Sequence, residues 1–158
     1  MAVEIERKFL LASDDWRRSV VKSAHIRDGL VAFENGRKVR VRIKEGVATI
    51  AIKSRHRGLG RFEFEYQIPV SEAEEILRTM CDGRHLEKVR HYVPHDGLMW
   101  EVDVYEGTLE GVVLAEIELD REDRRLALPS WVGEEVTGDV RYSKVAMERE
   151  RVKKGRRT

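Results

Sequence analysis

The chain has 158 residues, with 30 Lys and Arg against 29 Asp and Glu, so its net charge of +1 is a near-cancellation between two large populations. Hydrophobic residues make up 41%, and a chain of this length buries roughly two-thirds of its unfolded surface, so one globular domain needs no disulfide staples. The single cysteine, Cys81, excludes an internal disulfide and a Cys-cluster metal site. The apolar runs are too short to span a bilayer, and the acidic start Val3-Glu4-Ile5-Glu6 is unlike a signal peptide, so a cytoplasmic protein is expected.

In chain order, most of the sequence alternates with a period of two. In residues 3–9, Glu4, Glu6 and Lys8 share one face of a strand, while Val3, Ile5 and Phe9 share the other. A short helix is predicted over residues 14–22 behind a Ser13 or Asp14 cap, and a weaker strand over 25–34 ahead of the turn signal Asn35-Gly36. Residues 38–44 place four cations opposite Val39, Val41 and Ile43; a Glu45-Gly46 turn and a second strand at 49–53 suggest a hairpin. Residues 61–68 set acids opposite aromatics. Ser71 with Glu74 forms a capping box that opens a helix of about ten residues, ended near Gly83. Further strands lie at 88–90, 100–105 and 115–120, and Ser143 caps a C-terminal helix through Val145, Met147 and Val152. The reading is one β-rich α+β domain over residues 1–150, with 151–158 a basic, solvated C-terminal tail.

An ordinary half-exposed sheet also alternates polar with apolar, but here the polar faces are almost wholly ionic and their signs are grouped by strand. A row of like charges such as Lys38, Arg40, Arg42 and Lys44 gains nothing by itself. It makes sense if a counter-charge lies against it. About eight such strands, closed into an antiparallel barrel with helices packed outside, leave a charged lumen of the size that holds one small ligand. Buried ions must be paired or must coordinate something. Carboxylates suit Mg²⁺ or Mn²⁺ and Lys with Arg suits phosphoryl oxygens, so the residue types point to phosphate chemistry.

Glu4-Ile5-Glu6-Arg7-Lys8 matches E-x-E-x-K, the signature of the CYTH superfamily, also called triphosphate tunnel metalloenzymes. Support comes from the order of the later motifs along the chain: Arg40-x-Arg42, Lys53, Glu63-x-Glu65, Lys88-x-Arg90, Asp103, Glu116-x-Glu118, and Glu135-Val136-Thr137 leading to Arg141-Tyr142-Ser143. The chain resembles a small bacterial member over roughly residues 2–148. The resemblance implies an eight-stranded antiparallel tunnel that binds triphosphate substrates with Mg²⁺ or Mn²⁺. It further implies that Glu4, Glu6, Glu116 and Glu118 are metal ligands, and that Lys8, Arg40, Arg42, Lys53, Lys88 and Arg90 form the triphosphate cradle. Lys8, Glu4 and Glu6 are the expected catalytic residues. Glu63, Glu65 and Asp103 orient the cations or bind a second metal.

Two departures stand out. Where small bacterial members carry Gln-Gly-Tyr-Leu, this chain has Asp28-Gly29-Leu30-Val31, and Leu30 can neither donate nor accept a proton. Where the family tends to read Arg-Tyr-Ser-Asn, Lys144 comes after Ser143, and this extra cation either touches substrate or, slightly favoured, points into solvent. Elsewhere, His91 and His95 are separated by Pro94, which breaks a helical metal-site reading; Gly58-Leu59-Gly60 reads as a bend in a connection, and Cys81 as an inert buried thiol. The basic stretch 54–61 either folds over the tunnel mouth or forms a plain loop. The expected activity is metal-dependent hydrolysis of a triphosphate, inorganic triphosphate first. The alternatives are a class IV adenylyl cyclase that makes cyclic AMP from ATP, or a non-catalytic polyphosphate- or nucleotide-binding module. The partner is then a small-molecule triphosphate or nucleoside triphosphate. The near-zero net charge argues against nucleic-acid binding, and a homodimer stays open.

Overall fold

The computed structural model describes residues 3–157, apart from the side chains of 152 and 154–157. The strands are β1 (Val3–Leu11), β2 (Lys22–Glu34), β3 (Arg37–Lys44), β4 (Val47–Lys53), β5 (Gly60–Ile68), β6 (His85–His95), β7 (Leu98–Glu106), β8 (Val113–Glu118) and β9 (Val132–Glu135). Helix α1 spans Val70–Thr79 and α2 spans Lys144–Arg157. The strands neighbour one another in the order β5-β4-β3-β2-β6-β7-β8-β1, and pairing of β1 with β5 closes the ring. All of these pairings are antiparallel, so the predicted eight-stranded barrel is the fold.

Local chemistry sets the hairpins. Asn35-Gly36, Glu45-Gly46 and Asp96-Gly97 each place two successive residues at positive φ, between 48° and 79°, as the tight turn matched to strand twist requires. Edge sharing on β1 completes the closure. One edge carries β8, while the other gives residues 3–5 to β5 and residues 9–11 to β9. The β9 strand has no counterpart among the elements predicted from sequence. It is four residues long and holds a glycine where a Cβ would come within 3.2 Å of the β1 backbone.

The apolar core lies outside the barrel wall. α1 covers β2, β3 and β4 with Ala73 and Leu77 against Val41, Ala48 and Cys81. The outer face of β1 and β6–β8 is covered by a 3₁₀ turn and a loop, with Trp16 and Trp131 packed near Phe9, Trp100, Val102 and Ile117. The helix predicted over 14–22 is therefore only the 3₁₀ turn Asp15–Ser19, because β2 already begins at Lys22. The predicted capping box is absent. Pro69 occupies the cap and its carbonyl accepts from Ala73 N at 3.0 Å, while Glu74 pairs with Arg27 instead. α2 does not lie on the wall. Its Met147 joins Leu86, Tyr105 and Leu114, which share the inward strand faces with Lys88, Asp103 and Glu116, and fills one end of the barrel.

Gly29 lets α1 approach β2. A Cβ there would collide with Leu77 and Cys81 of the covering layer. Gly29→Ala should cost about 1–3 kcal/mol through overpacking, read as a fall in Tm of several degrees, and Leu77→Ala in the same background should restore part of it. An unchanged Tm for Gly29→Ala would show that α1 is not seated on the sheet as described.

Candidate active site

Register sends the charged faces inward. Glu6 lies opposite Glu118, Lys8 opposite Glu116, Arg42 opposite Asp28, Lys53 opposite Glu63, and Arg90 opposite Asp103. All of these but Asp103 line a cavity of about 840 Å³ with Glu4, Lys38, Arg40, Glu65, Glu101 and Lys144. Every residue expected at the site faces this one space or is buried beside it: Lys88 and Asp103 are sealed into the wall, with Lys88 Nζ 2.8 Å from Asp103 Oδ2.

The carboxylates divide into two sets. Those of Glu4, Glu6 and Glu118 present oxygens all within 4.8 Å of one another. Directly opposed like charges repel across a ladder, and among the described residues no Lys or Arg forms an ion pair with Glu6 or Glu118. Burial, then Glu116 and Glu4, push the Glu6 carboxyl up to about 8. Burial also raises Glu118, with Glu101 and Glu4 adding to it. Three hard oxygen donors, two of them without a paired cation and the third, Glu4, kept ionised against burial by Lys53 and Arg61, fit a divalent cation. Glu116 is not in this triad. Burial opposes its charge, but Lys8 and Lys144 hold it well below the usual carboxylate range, and it faces Arg90 at 3.9 Å.

The second set neutralises part of the cradle. Asp103 takes Arg90 Nε and Nη2 at 2.8 and 2.9 Å, and despite burial its carboxyl is held down to about 2, chiefly by Lys88 and Arg90. Lys53 Nζ lies 3.3 Å from Glu4 and 2.8 Å from Glu63, and Arg40 Nη2 lies 3.6 Å from Glu65. Glu63, Glu65 and Asp103 thus sit where they orient cations. Positive charge is left over. Among the described residues Arg40 Nε is buried without a hydrogen-bond partner, and Lys8 Nζ hydrogen-bonds only to the Tyr142 carbonyl, at 3.3 Å. Burial, with Arg61, Lys53 and Lys8 nearby, brings the Lys38 ammonium down to about 8.

Three participants were not expected from the sequence. Asp28, buried on β2, holds Arg42 through two hydrogen bonds of 2.7 and 2.9 Å. Its only signal is that a carboxylate interrupts a weak strand pattern. Arg61 pairs with Glu4 at 3.2 Å, from the start of β5. Lys144, which the sequence leaves between substrate and solvent, lines the cavity, because the last 3₁₀ turn brings the start of α2 against the barrel end. Leu30 lines the cavity opposite Arg40 and brings no proton-exchanging group. The stretch 54–61 does border the cavity, through Arg55, His56, Gly58, Leu59 and Arg61, and is pinned by Leu59 N donating to Glu122 Oε1 at 3.1 Å. His91 and His95 lie on β6, and Cys81 is buried under α1.

A family model of the CYTH domain matches residues 2–149. The chain belongs to the CYTH family. An inorganic triphosphatase of Acetivibrio thermocellus is 42% identical over 142 residues, covering 90% of each chain. One of Nitrosomonas europaea is 37% identical over 149 residues, covering 91% of this chain and 95% of the other. A crystal structure described as an inorganic triphosphatase superposes with a TM-score of 0.67 at 32% identity, covering 94% of this chain and 95% of that one. In this CYTH barrel no helix among the described residues is long and apolar enough to cross a membrane.

The raised Glu6 carboxyl has a thermodynamic signature. In the metal-free fold Glu6 keeps its proton up to about 8, while the unfolded chain loses it near 4.5. The folded state binds the extra proton, so this group's contribution to stability declines as pH rises through that window. With chelator present, Glu6→Gln should equal the wild type in Tm at about pH 5 and exceed it by several degrees above about pH 8. An offset that does not change with pH would refute the assignment.

Proposed function

We propose that this CYTH protein hydrolyses inorganic triphosphate with Mg²⁺ or Mn²⁺, in the cytoplasm. The observation that carries the reading is the pair of unmatched charges inside one cavity: among the described residues Glu6 and Glu118 have no ion-paired cation, and Lys8 and Lys38 no ion-paired carboxylate. A divalent ion and an oligophosphate together neutralise both. The 37–42% identity to two inorganic triphosphatases over nine-tenths of the chain supports the same substrate.

Glu4, Glu6 and Glu118 would hold the ion. When bound it supplies Lewis-acid polarisation of a phosphoryl oxygen and lowers the pKa of bound water. The chain's own residues do the rest by positioning, since phosphoryl transfer asks little covalent chemistry of the protein. Arg42, locked by Asp28 through Nε and Nη2, offers its remaining N–H groups to phosphoryl oxygens with little reorganisation, and Arg90, held by Asp103 and Glu101, adds fixed positive charge beside it. Lys8, Lys38 and Arg40 supply the charge that those carboxylates leave free. Lys8, two residues beyond Glu6 on the same face, lies between the triad and the cradle and stabilises charge that develops on the transferring group. Asp103 and Glu63 keep Arg90 and Lys53 aimed inward.

Triphosphate incubated with Mg²⁺ or Mn²⁺ should yield orthophosphate and pyrophosphate, and chelator should abolish the release. Glu118→Gln should raise the half-saturating metal concentration at least about tenfold while sparing metal-free triphosphate binding, because Glu118 orients no cradle cation. Arg40→Gln should do the reverse, weakening triphosphate binding by about tenfold, the scale of one lost charge-assisted hydrogen bond. Cyclic AMP from ATP with Mn²⁺, in place of orthophosphate from triphosphate, would establish a cyclase instead. Tight triphosphate binding with no turnover under either metal would establish a binding module.

A further inference from the structure

Lys144 and Asp28, far apart in the chain, meet inside the barrel. Lys144 Nζ lies 3.9 Å from Asp28 Oδ2. That separation is too long for a hydrogen bond, and both Asp28 oxygens are already engaged by Arg42 at 2.7 and 2.9 Å. Among the described residues no hydrogen bond engages the Lys144 ammonium, although its side chain is only 23% exposed and borders the cavity.

The placement is electrostatically costly twice over. Lys144 opens α2, with Ser143 as its cap: Ser143 Oγ accepts from Ala146 N at 3.1 Å. A cation at a helix N-terminus opposes the helix dipole, where an anion would be favoured. Burial, then the neighbouring Lys88, with Arg42 adding to it, drives the ammonium well below its ordinary range, against the partial relief from Asp28 and Glu116. A structural ion pair would place the amine on a free carboxylate oxygen. Here the amine, the first turn of α2 and the cavity instead converge on a space for an anion, with Ser143, Lys144 and Val145 all on the lining.

We propose that Lys144 is a further phosphate-binding residue, contributed by α2 and not by the barrel wall, so that triphosphate in the lumen fastens α2 to the barrel end. The bound phosphoryl group supplies the counter-charge that both the amine and the helix terminus lack. Occupancy and helix docking are then linked: whatever α2 gains in order on binding, the ligand gains in affinity. The inference rests on the reading of the lumen as a triphosphate site.

The test is calorimetric titration of the full chain with sodium triphosphate, without metal, combined with amide exchange over residues 144–157. In the wild type, triphosphate should bind and slow exchange in the first turns of α2. Lys144→Gln should weaken binding about tenfold or more, raise KM much more than it lowers kcat, and lose the protection of α2. Lys144→Arg should recover most of each. The Tm of the unliganded variants reports folding, and neutralising a crowded lysine should leave it equal or higher. Unchanged affinity and unchanged α2 protection in a folded Lys144→Gln, beside a wild type that binds, would overturn this inference alone. A wild type that binds no triphosphate would overturn it together with the proposed function.

Discussion

Everything in this molecule turns on ionised side chains held inside a closed wall with their charges only partly matched. Buried charge is tolerable where it is paired, and most of the lumen obeys that rule: Asp28 with Arg42, Asp103 with Lys88 and Arg90, Glu4 with Lys53 and Arg61. These pairs contribute little net stability, since desolvation offsets their attraction. What they do is fix geometry. The remainder, Glu6 facing Glu118 at one place and Lys8, Lys38 and Arg40 around it, is an imbalance kept in position by the paired frame.

Such an interior demands that stability come from elsewhere, and it does. The apolar layers lie on the outside of the barrel, beneath α1 and around Trp16, Trp100 and Trp131, and at one end where α2 seats Met147. The arrangement inverts an ordinary small barrel, whose interior is filled by apolar side chains. Tight two-residue turns make the wall stiff, and splitting one edge of β1 between β5 and β9 closes it without an exposed strand edge there. A rigid wall lets opposed carboxylates stay opposed instead of relaxing into solvent.

Much of this was legible because a strand's side chains alternate strictly. Glu4-x-Glu6-x-Lys8 and Lys38-x-Arg40-x-Arg42 declare a common face whatever the fold, and the repeated motifs resemble a known family in the right order. Where the pattern is short or a single residue carries the signal, the sequence does not declare the element. β9 has four residues and a glycine; Asp28 is one acid in a weak strand; and the Ser71-x-x-Glu74 box lost to Pro69, whose fixed backbone already starts the helix, while Glu74 found Arg27. The place of Lys144 stays open in the sequence because helix periodicity near Ser143 cannot say which end of the barrel that helix meets.

The amino-acid sequence by itself determined the strands, the inward ionic faces and the kinds of ligand they suit, since these arise from local alternation and side-chain chemistry. Only the tertiary structure decided which charges meet. It separated Glu116 from the Glu4–Glu6–Glu118 triad, sealed Lys88 behind Asp103, and brought Lys144 from the far end of the chain to Asp28. The reason is physical: sign and spacing are properties of a segment, whereas pairing depends on strand register and closure, which are settled by the whole barrel at once.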